Sequence, residues 1–160
     1  ALKEMGNEKG VSQMENTNEM TIEFDSRSCN EGFARVAVAA FCTQMNPTLE
    51  EVADLKTAVS EAITNAIIHG YENEVHKIRI ECKIAGHDLY VTVIDHGKGI
   101  PDVKKAMEPL FTTKPEMERS GMGFAFMEAF MDEIAVVSQP GLGTEVHMRK
   151  RVGCGSSPFA

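Results

Sequence analysis

Glu61, Asn65 and His69 follow one another at steps of four, so on a helix all three project from one side. A carboxylate and a carboxamide one turn apart can together hold a hard cation and act on a nearby hydroxyl or water. On spacing alone, a solvated polar face ending in a histidine favoured by the helix dipole accounts for the same row. Asp95 ends an alternating apolar stretch and stands just before Gly97 and Gly99. A carboxylate there can accept a hydrogen bond from a ligand's exocyclic amine, with the glycines allowing close backbone approach. An Asp-initiated turn is the plainer alternative. Further on, Thr112, Thr113, Lys114, Arg119 and Ser120 lead into Gly121-Met122-Gly123 and the start of a helix. Free backbone amides and the positive end of the helix dipole make an anion site, and the two cations add charge. A hydroxyl-rich loop beside them suits a lid over a polyphosphate, although an exposed loop before an N-capped helix explains that segment by itself. Gly143-Thr144 is most simply a hairpin turn, whose hydroxyl can reach a ligand through water.

Two common phosphate motifs are absent. The chain contains neither G-x-x-x-x-G-K-[ST] nor a complete G-x-G-x-x-G. What it contains are G-x-G turns at element ends: Gly97/Gly99 after a strand, Gly121/Gly123 opening a helix, and Gly141/Gly143 in a hairpin. Each alone is weak, since glycine-rich turns are commonly only turns.

The elements that must position these groups are legible in the periodicity. Met20 to Phe24 alternates as an edge strand. Ser28 and Glu31 form a capping-box pattern, followed by Phe33, Val36, Ala37, Ala40 and Phe41 at helical spacing. Pro47, Thr48 and Glu51 open a second helix, whose apolar stripe is Leu55, Val59, Ala62, Ile63, Ala66 and Ile67, with Gly70 as its stop. The row of Glu61, Asn65 and His69 lies beside that stripe. Ile78 to Ile84 and Leu89 to Ile94 alternate as strands joined at Ala85-Gly86-His87-Asp88. A short helix follows Asp102, an irregular stretch covers 109–120, and a helix runs from about Gly121 to Asp132. Strands at Glu133–Ser138 and Thr144–Arg149 close the pattern. Hairpin-paired strands with amphipathic helices between them predict an α+β two-layer sandwich: a mixed, mostly antiparallel sheet with helices on one face.

Composition bounds the class. Sixteen Lys and Arg against twenty-four Asp and Glu leave a net charge of −8. That acidity argues against direct nucleic-acid binding, but not against a single bound nucleotide. With 160 residues, 42% hydrophobic and 25% charged, one globular domain is expected. Residues 1–19 are poor in large apolar side chains and read as a flexible leader, 20–151 as the domain, and 152–160 as a flexible tail. The longest apolar run, Val36 to Cys42, is far short of a bilayer span, so no membrane segment is expected. Cys29, Cys42, Cys82 and Cys154 are scattered without C-x-x-C pairs. They read as reduced thiols, not a zinc site, in a soluble cytoplasmic protein.

Taken in order, these segments resemble the Bergerat ATP-binding fold shared by gyrase, the Hsp90 chaperones, histidine kinases and MutL proteins. Glu61-x-x-x-Asn65 with His69-Gly70 is similar to that superfamily's N box. Asp95-His96-Gly97-Lys98-Gly99-Ile100 is similar to its first glycine box, Gly121-Met122-Gly123 to the second and Gly143-Thr144 to the third. Longer strings are more specific. Phe33-Ala34-Arg35-Val36, Ser60 through Tyr71, Pro109 through Glu116 and Glu118 through Phe124 resemble the sporulation anti-sigma-F factors, and the likeness runs over about residues 20–150.

That resemblance implies a dimeric serine protein kinase that also sequesters a sigma factor of the sporulation sigma-F type. Its phosphorylation substrate would be an anti-anti-sigma antagonist protein. Asn65 would ligate Mg²⁺ with the phosphates of ATP or ADP, and Glu61 would be the catalytic base toward the substrate serine. Asp95 would bind the adenine amine, with Gly97, Gly99 and Thr144 in the same purine pocket. Gly121, Met122 and Gly123 would face the phosphates, supplemented by Thr112, Thr113, Lys114, Arg119 and Ser120. Arg35 would contact a partner protein, against the simpler alternative of a helical pair with Glu31. Other classes to weigh are a non-enzymatic nucleotide-regulated binding module and the ATPase core of a histidine kinase.

Overall fold

The computed structural model describes residues 17–107 and 123–153. Strand β1 (Thr17–Asp25) leads into helix α1 (Cys29–Cys42) and then α2 (Leu49–Asn65), which continues as a wider π turn over Ala66–Gly70. Strands β2 (Lys77–Ala85) and β3 (Asp88–Asp95) form a hairpin, followed by the single-turn α3 (Val103–Ala106). Helix α4 (Gly123–Phe130) precedes the hairpin of β4 (Glu133–Gln139) and β5 (Gly143–Arg151). The strand order is β1-β2-β3-β5-β4, with helices on one face, as the periodicity led us to expect. Among the described residues the sheet is simpler than a mixed one: all four pairings are antiparallel.

Register carries the core across the sheet. Ile22, Ile80, Val93, Val146 and Val136 oppose one another in a row spanning all five strands. Met20, Cys82, Val91, Met148 and Ile134 form the next row. Because side chains alternate faces, both rows point to the same side, where a one-residue slip would expose every member. Onto this surface α2 lays Leu55, Val59, Ala62 and Ile63, each almost wholly buried. Met127 of α4 and Val38 and Cys42 of α1 complete the layer. Burial pushes the Cys42 thiol up to about 11 and the Cys82 thiol up to about 12, so both stay protonated and act as small apolar groups.

The starts of the two long helices fare differently. At α2, Thr48 accepts from the Glu51 amide at 3.1 Å and the Glu51 carboxylate accepts from the Thr48 amide at 2.8 Å. That reciprocal pair satisfies two otherwise orphaned donors. At α1, Ser28 adopts helical backbone angles and makes no side-chain cap hydrogen bond. The Glu31 carboxylate is taken instead by the Ser60 hydroxyl on α2 and by Arg35 at 3.3 Å. A tertiary partner outcompetes the local one there.

Element ends differ slightly from the sequence reading. The edge strand starts three residues ahead of Met20, and Val152, assigned to the tail, is buried, with its amide donating to the His87 carbonyl at 2.8 Å. Among the described residues no helix is long and apolar enough to cross a membrane.

Candidate nucleotide site

The π turn is where the second helix stops being an ordinary helix. Continuing over Ala66–Gly70, it ends on Tyr71, whose amide bonds back to the Ala66 carbonyl at 2.9 Å. Such wide turns recur at functional sites because they re-aim the side chains around them. Here Asn65, Ala66, His69 and Gly70 line one wall of a cavity. Asp95 and Val93 at the end of β3, together with Thr144 and Val146 of β5, line its floor. Lys98, Gly99, Ile100 and Pro101 close one side, and Gly123 and Phe124, opening α4, another. Apolar side chains from Ala62, Val93, Ile100, Phe124 and Val146 make the surroundings suited to a flat aromatic ring.

The fold thus brings Asn65, Asp95, Gly99, Gly123 and Thr144 together. Glu61 lies one turn before Asn65 on α2, half-buried and outside the set lining the cavity. Arg35 is on α1. Thr112, Thr113, Lys114, Arg119, Ser120, Gly121 and Met122 lie outside the described residues.

Asp95 is the buried charge-bearing group of this cavity, only 6% exposed. The Gly97 amide donates to its Oδ1 at 2.9 Å. Burial pushes the carboxyl above its usual value, and hydrogen bonds from the Gly97 and Thr144 backbones, with His96 nearby, partly offset that rise. A carboxylate held by backbone donors at the bottom of an apolar slot is built to receive a neutral N–H donor from a ligand.

The glycines do something other than admit a ligand. A Cβ on Gly97 would lie 2.0 Å from the Gly70 carbonyl oxygen, so its absence lets the π turn sit directly on the β3 turn. The Lys98 amide then donates to the same Gly70 oxygen at 2.9 Å. Gly143, at φ +105°, would put a Cβ 2.1 Å from the Asp95 carbonyl oxygen. Only glycine tolerates both the backbone angle and the contact. The Gly141 amide donates to the Lys98 carbonyl at 2.7 Å, joining the two turns. Gly97 and Gly143 therefore shape the cavity by packing backbone on backbone, and Gly97 itself is not among the residues that line it.

Three residues escaped the sequence reading. Lys98 lines the cavity and pairs with Glu72 at 2.9 Å. The Tyr71 hydroxyl accepts from the His96 amide at 2.8 Å and donates to the Lys77 carbonyl, pinning the residue after Asp95 to the start of β2. Ser138 joins the β3 turn to the β4–β5 hairpin. Lys98 could have been found, since it stands between the paired glycines; Tyr71 and Ser138 carry no local signal.

Residues 25–150 match the model of the histidine kinase-like ATPase domain. An anti-sigma F factor from Thermoanaerobacter sp. (strain X514) is 59% identical over 140 residues, covering 88% of this chain and 98% of that relative. Another from Bacillus licheniformis is 54% identical over 136 residues, covering 84% and 93%. The chain belongs to the anti-sigma F factor family. An anti-sigma F factor from Clostridium botulinum (strain Eklund 17B / Type B) is 56% identical over 135 residues, covering 84% of this chain and 94% of that one. The crystal structure of the RsbU and RsbW domains of a Mycobacterium tuberculosis protein superposes with a TM-score of 0.62 at 22% identity, covering 84% of this chain and 32% of that chain. That likeness supports the fold.

For an anti-sigma F family member carrying an ATPase domain, nucleotide binding is implied. The apolar slot with one buried carboxylate fits an amino-bearing base. Asn65, which lines the cavity, carries a carboxamide oxygen, a kind of ligand that hard cations take. Mg²⁺ is commonly held by one or two protein oxygens together with substrate phosphates and water, not by a closed cage. No cluster of three His, Cys, Asp or Glu side chains poised for a metal occurs among the described residues.

Proposed function

We propose that this chain is a cytoplasmic anti-sigma factor that holds a sporulation sigma factor of the sigma-F type. With Mg²⁺ and ATP it phosphorylates a serine of its anti-anti-sigma antagonist, acting as a homodimer without direct contact to nucleic acid. The observation that carries the reading is the convergence of Asn65, Asp95 and Thr144 on one apolar cavity, with Glu61 a turn away from Asn65.

In this reading Asp95 accepts from the adenine amine, while Thr144 and Gly99 frame the base and Gly97 holds the turn. Asn65 would hold a Mg²⁺ that comes with the nucleotide, and the ion would supply neutralisation of developing charge. The residues from Thr112 to Gly123 named above serve the phosphates. The substrate serine oxygen attacks the terminal phosphorus, and the bond to the bridging oxygen breaks as ADP leaves. Glu61 takes the serine proton and later returns it to solvent. The new phosphate adds charge at the antagonist's interface and weakens that complex.

Arg35 supports the sequestering role. It stands between Phe33 and Val36, which are 61% and 54% exposed, an apolar patch that a partner can cover. The alternative pairing with Glu31 is also present, at 3.3 Å, yet Arg35 Nε is buried without a hydrogen-bond partner among the described residues. Arg35→Glu is expected to weaken capture of the sigma factor or the antagonist at least about tenfold in a pull-down, because hot-spot arginines carry a large share of binding energy. ADP affinity should not change. Undiminished capture would refute the contact.

The reading as a whole is tested by incubating the chain with labelled ATP, Mg²⁺ and the antagonist, then identifying the modified residue. Label on one antagonist serine is the expected result. Label on histidine, or no transfer, would sink the kinase assignment.

A further inference from the structure

Ser138, near the end of β4, belongs to none of the recognised boxes, yet its hydroxyl sits amid three polar contacts. The Ile100 amide donates to Ser138 Oγ at 2.7 Å, the Gly143 carbonyl oxygen lies at 3.0 Å and Thr144 Oγ1 at 2.8 Å. A carbonyl only accepts, an amide N–H only donates, and each hydroxyl carries one proton. One arrangement makes all three contacts hydrogen bonds together: Ser138 donates to Gly143 and accepts from both Ile100 and Thr144. Were Ser138 to donate to Thr144 instead, oxygen lone pairs would face each other at Gly143. Gly143 and Thr144 are both buried, and an unsatisfied contact there is costly.

We propose that Ser138 is a positioning residue for base selection: it accepts the hydrogen bond of the Thr144 hydroxyl and leaves the Thr144 Oγ1 lone pairs to serve the cavity as an acceptor. Asp95 and Thr144 are cross-strand partners and both line the cavity. The floor then offers two acceptors side by side. An exocyclic amine brings two N–H donors to such a floor, whereas a keto oxygen sets lone pairs against both. The arrangement therefore selects 6-aminopurines over 6-oxopurines. This rests on the nucleotide reading above and deepens it.

The test is equilibrium binding of ADP and IDP to the full chain by calorimetry, since the two differ at the 6-position and its neighbouring N1 proton. Wild type is expected to favour ADP by about 100-fold or more, because each buried polar mismatch costs heavily. In Ser138→Ala the Thr144 hydroxyl is free to donate to the keto oxygen. The ADP/IDP ratio should then fall about tenfold, with tighter IDP binding as the main cause. Ser138→Thr keeps the hydroxyl and should keep the ratio within about twofold. Ser138→Cys, a weaker donor and acceptor of similar shape, should lower the ratio and provides the comparison if the alanine variant does not fold.

A ratio unchanged in folded Ser138→Ala or Ser138→Cys overturns the proposal and leaves the nucleotide reading standing. A ratio lost in Ser138→Thr also overturns it. Wild type that binds no ADP overturns both.

Discussion

Glu61→Gln is expected to slow phosphoryl transfer to the antagonist serine by about 10²- to 10⁴-fold, the usual contribution of a positioned general base. ADP affinity should stay within about threefold of wild type, since removing a group that acts only on the proton leaves ground-state binding intact. The position of Glu61 motivates the split. It shares α2 with Asn65, one turn closer to the helix start, but does not line the cavity that would hold the base. The isosteric amide preserves shape while removing the negative charge and the basicity. Single-turnover transfer with labelled ATP, beside calorimetric ADP binding, checks both halves. Equal loss of binding and transfer would make Glu61 a structural residue instead of the base.

Asp95→Asn is expected to weaken ADP binding by roughly 100-fold, ~2.7 kcal/mol, because it replaces a charge-assisted acceptor with an amide. The Gly97 amide needs an acceptor, so the asparagine oxygen turns toward it and the NH₂ toward the ligand's amine, donor against donor. The protein itself should not suffer. Burial raises the Asp95 pKa, so the folded state binds its proton more tightly than the unfolded chain. Stability contributed by that group is present at low pH and is lost as pH rises from the usual carboxylate range through the raised folded value. Above that window a neutral asparagine avoids the desolvation cost, which offsets the loss of a carboxylate acceptor for the Gly97 and Thr144 backbone donors, so its thermal unfolding should stay near wild type. Ligand binding has the opposite slope. ADP affinity in wild type should fall as pH drops through the Asp95 pKa, and Asp95→Asn should be flat over the same range. A pH profile unchanged by the substitution would place the base elsewhere.

The sheet was readable because alternation is local: the apolar positions of β2 and β3 state which face is inward without reference to any partner. Likewise Thr48 and Glu51 cap α2 with atoms three residues apart. Ser28 and Glu31 have the same spacing and were misread, because Ser60, 29 positions from Glu31, competes for the carboxylate. Local pattern decides only where no distant group offers a better partner. The glycines show the same limit. Their placement in turns was legible, but not that Gly97 rests on Gly70 or Gly143 on Asp95.

What the sequence alone determined about this protein is therefore its parts: two amphipathic helices, two hairpins, a row of Glu61, Asn65 and His69, and a carboxylate before paired glycines. Periodicity and short motifs encode these because they depend on neighbours within one or two turns. The tertiary structure decided how the parts address one another. It set Asp95 opposite Thr144 in the β3–β5 register and buried its charge. It also brought the Ile100 amide to the Ser138 hydroxyl across 38 residues of chain. Hydrogen-bond direction at a shared oxygen depends on every donor and acceptor around it, and those come together only when distant turns pack.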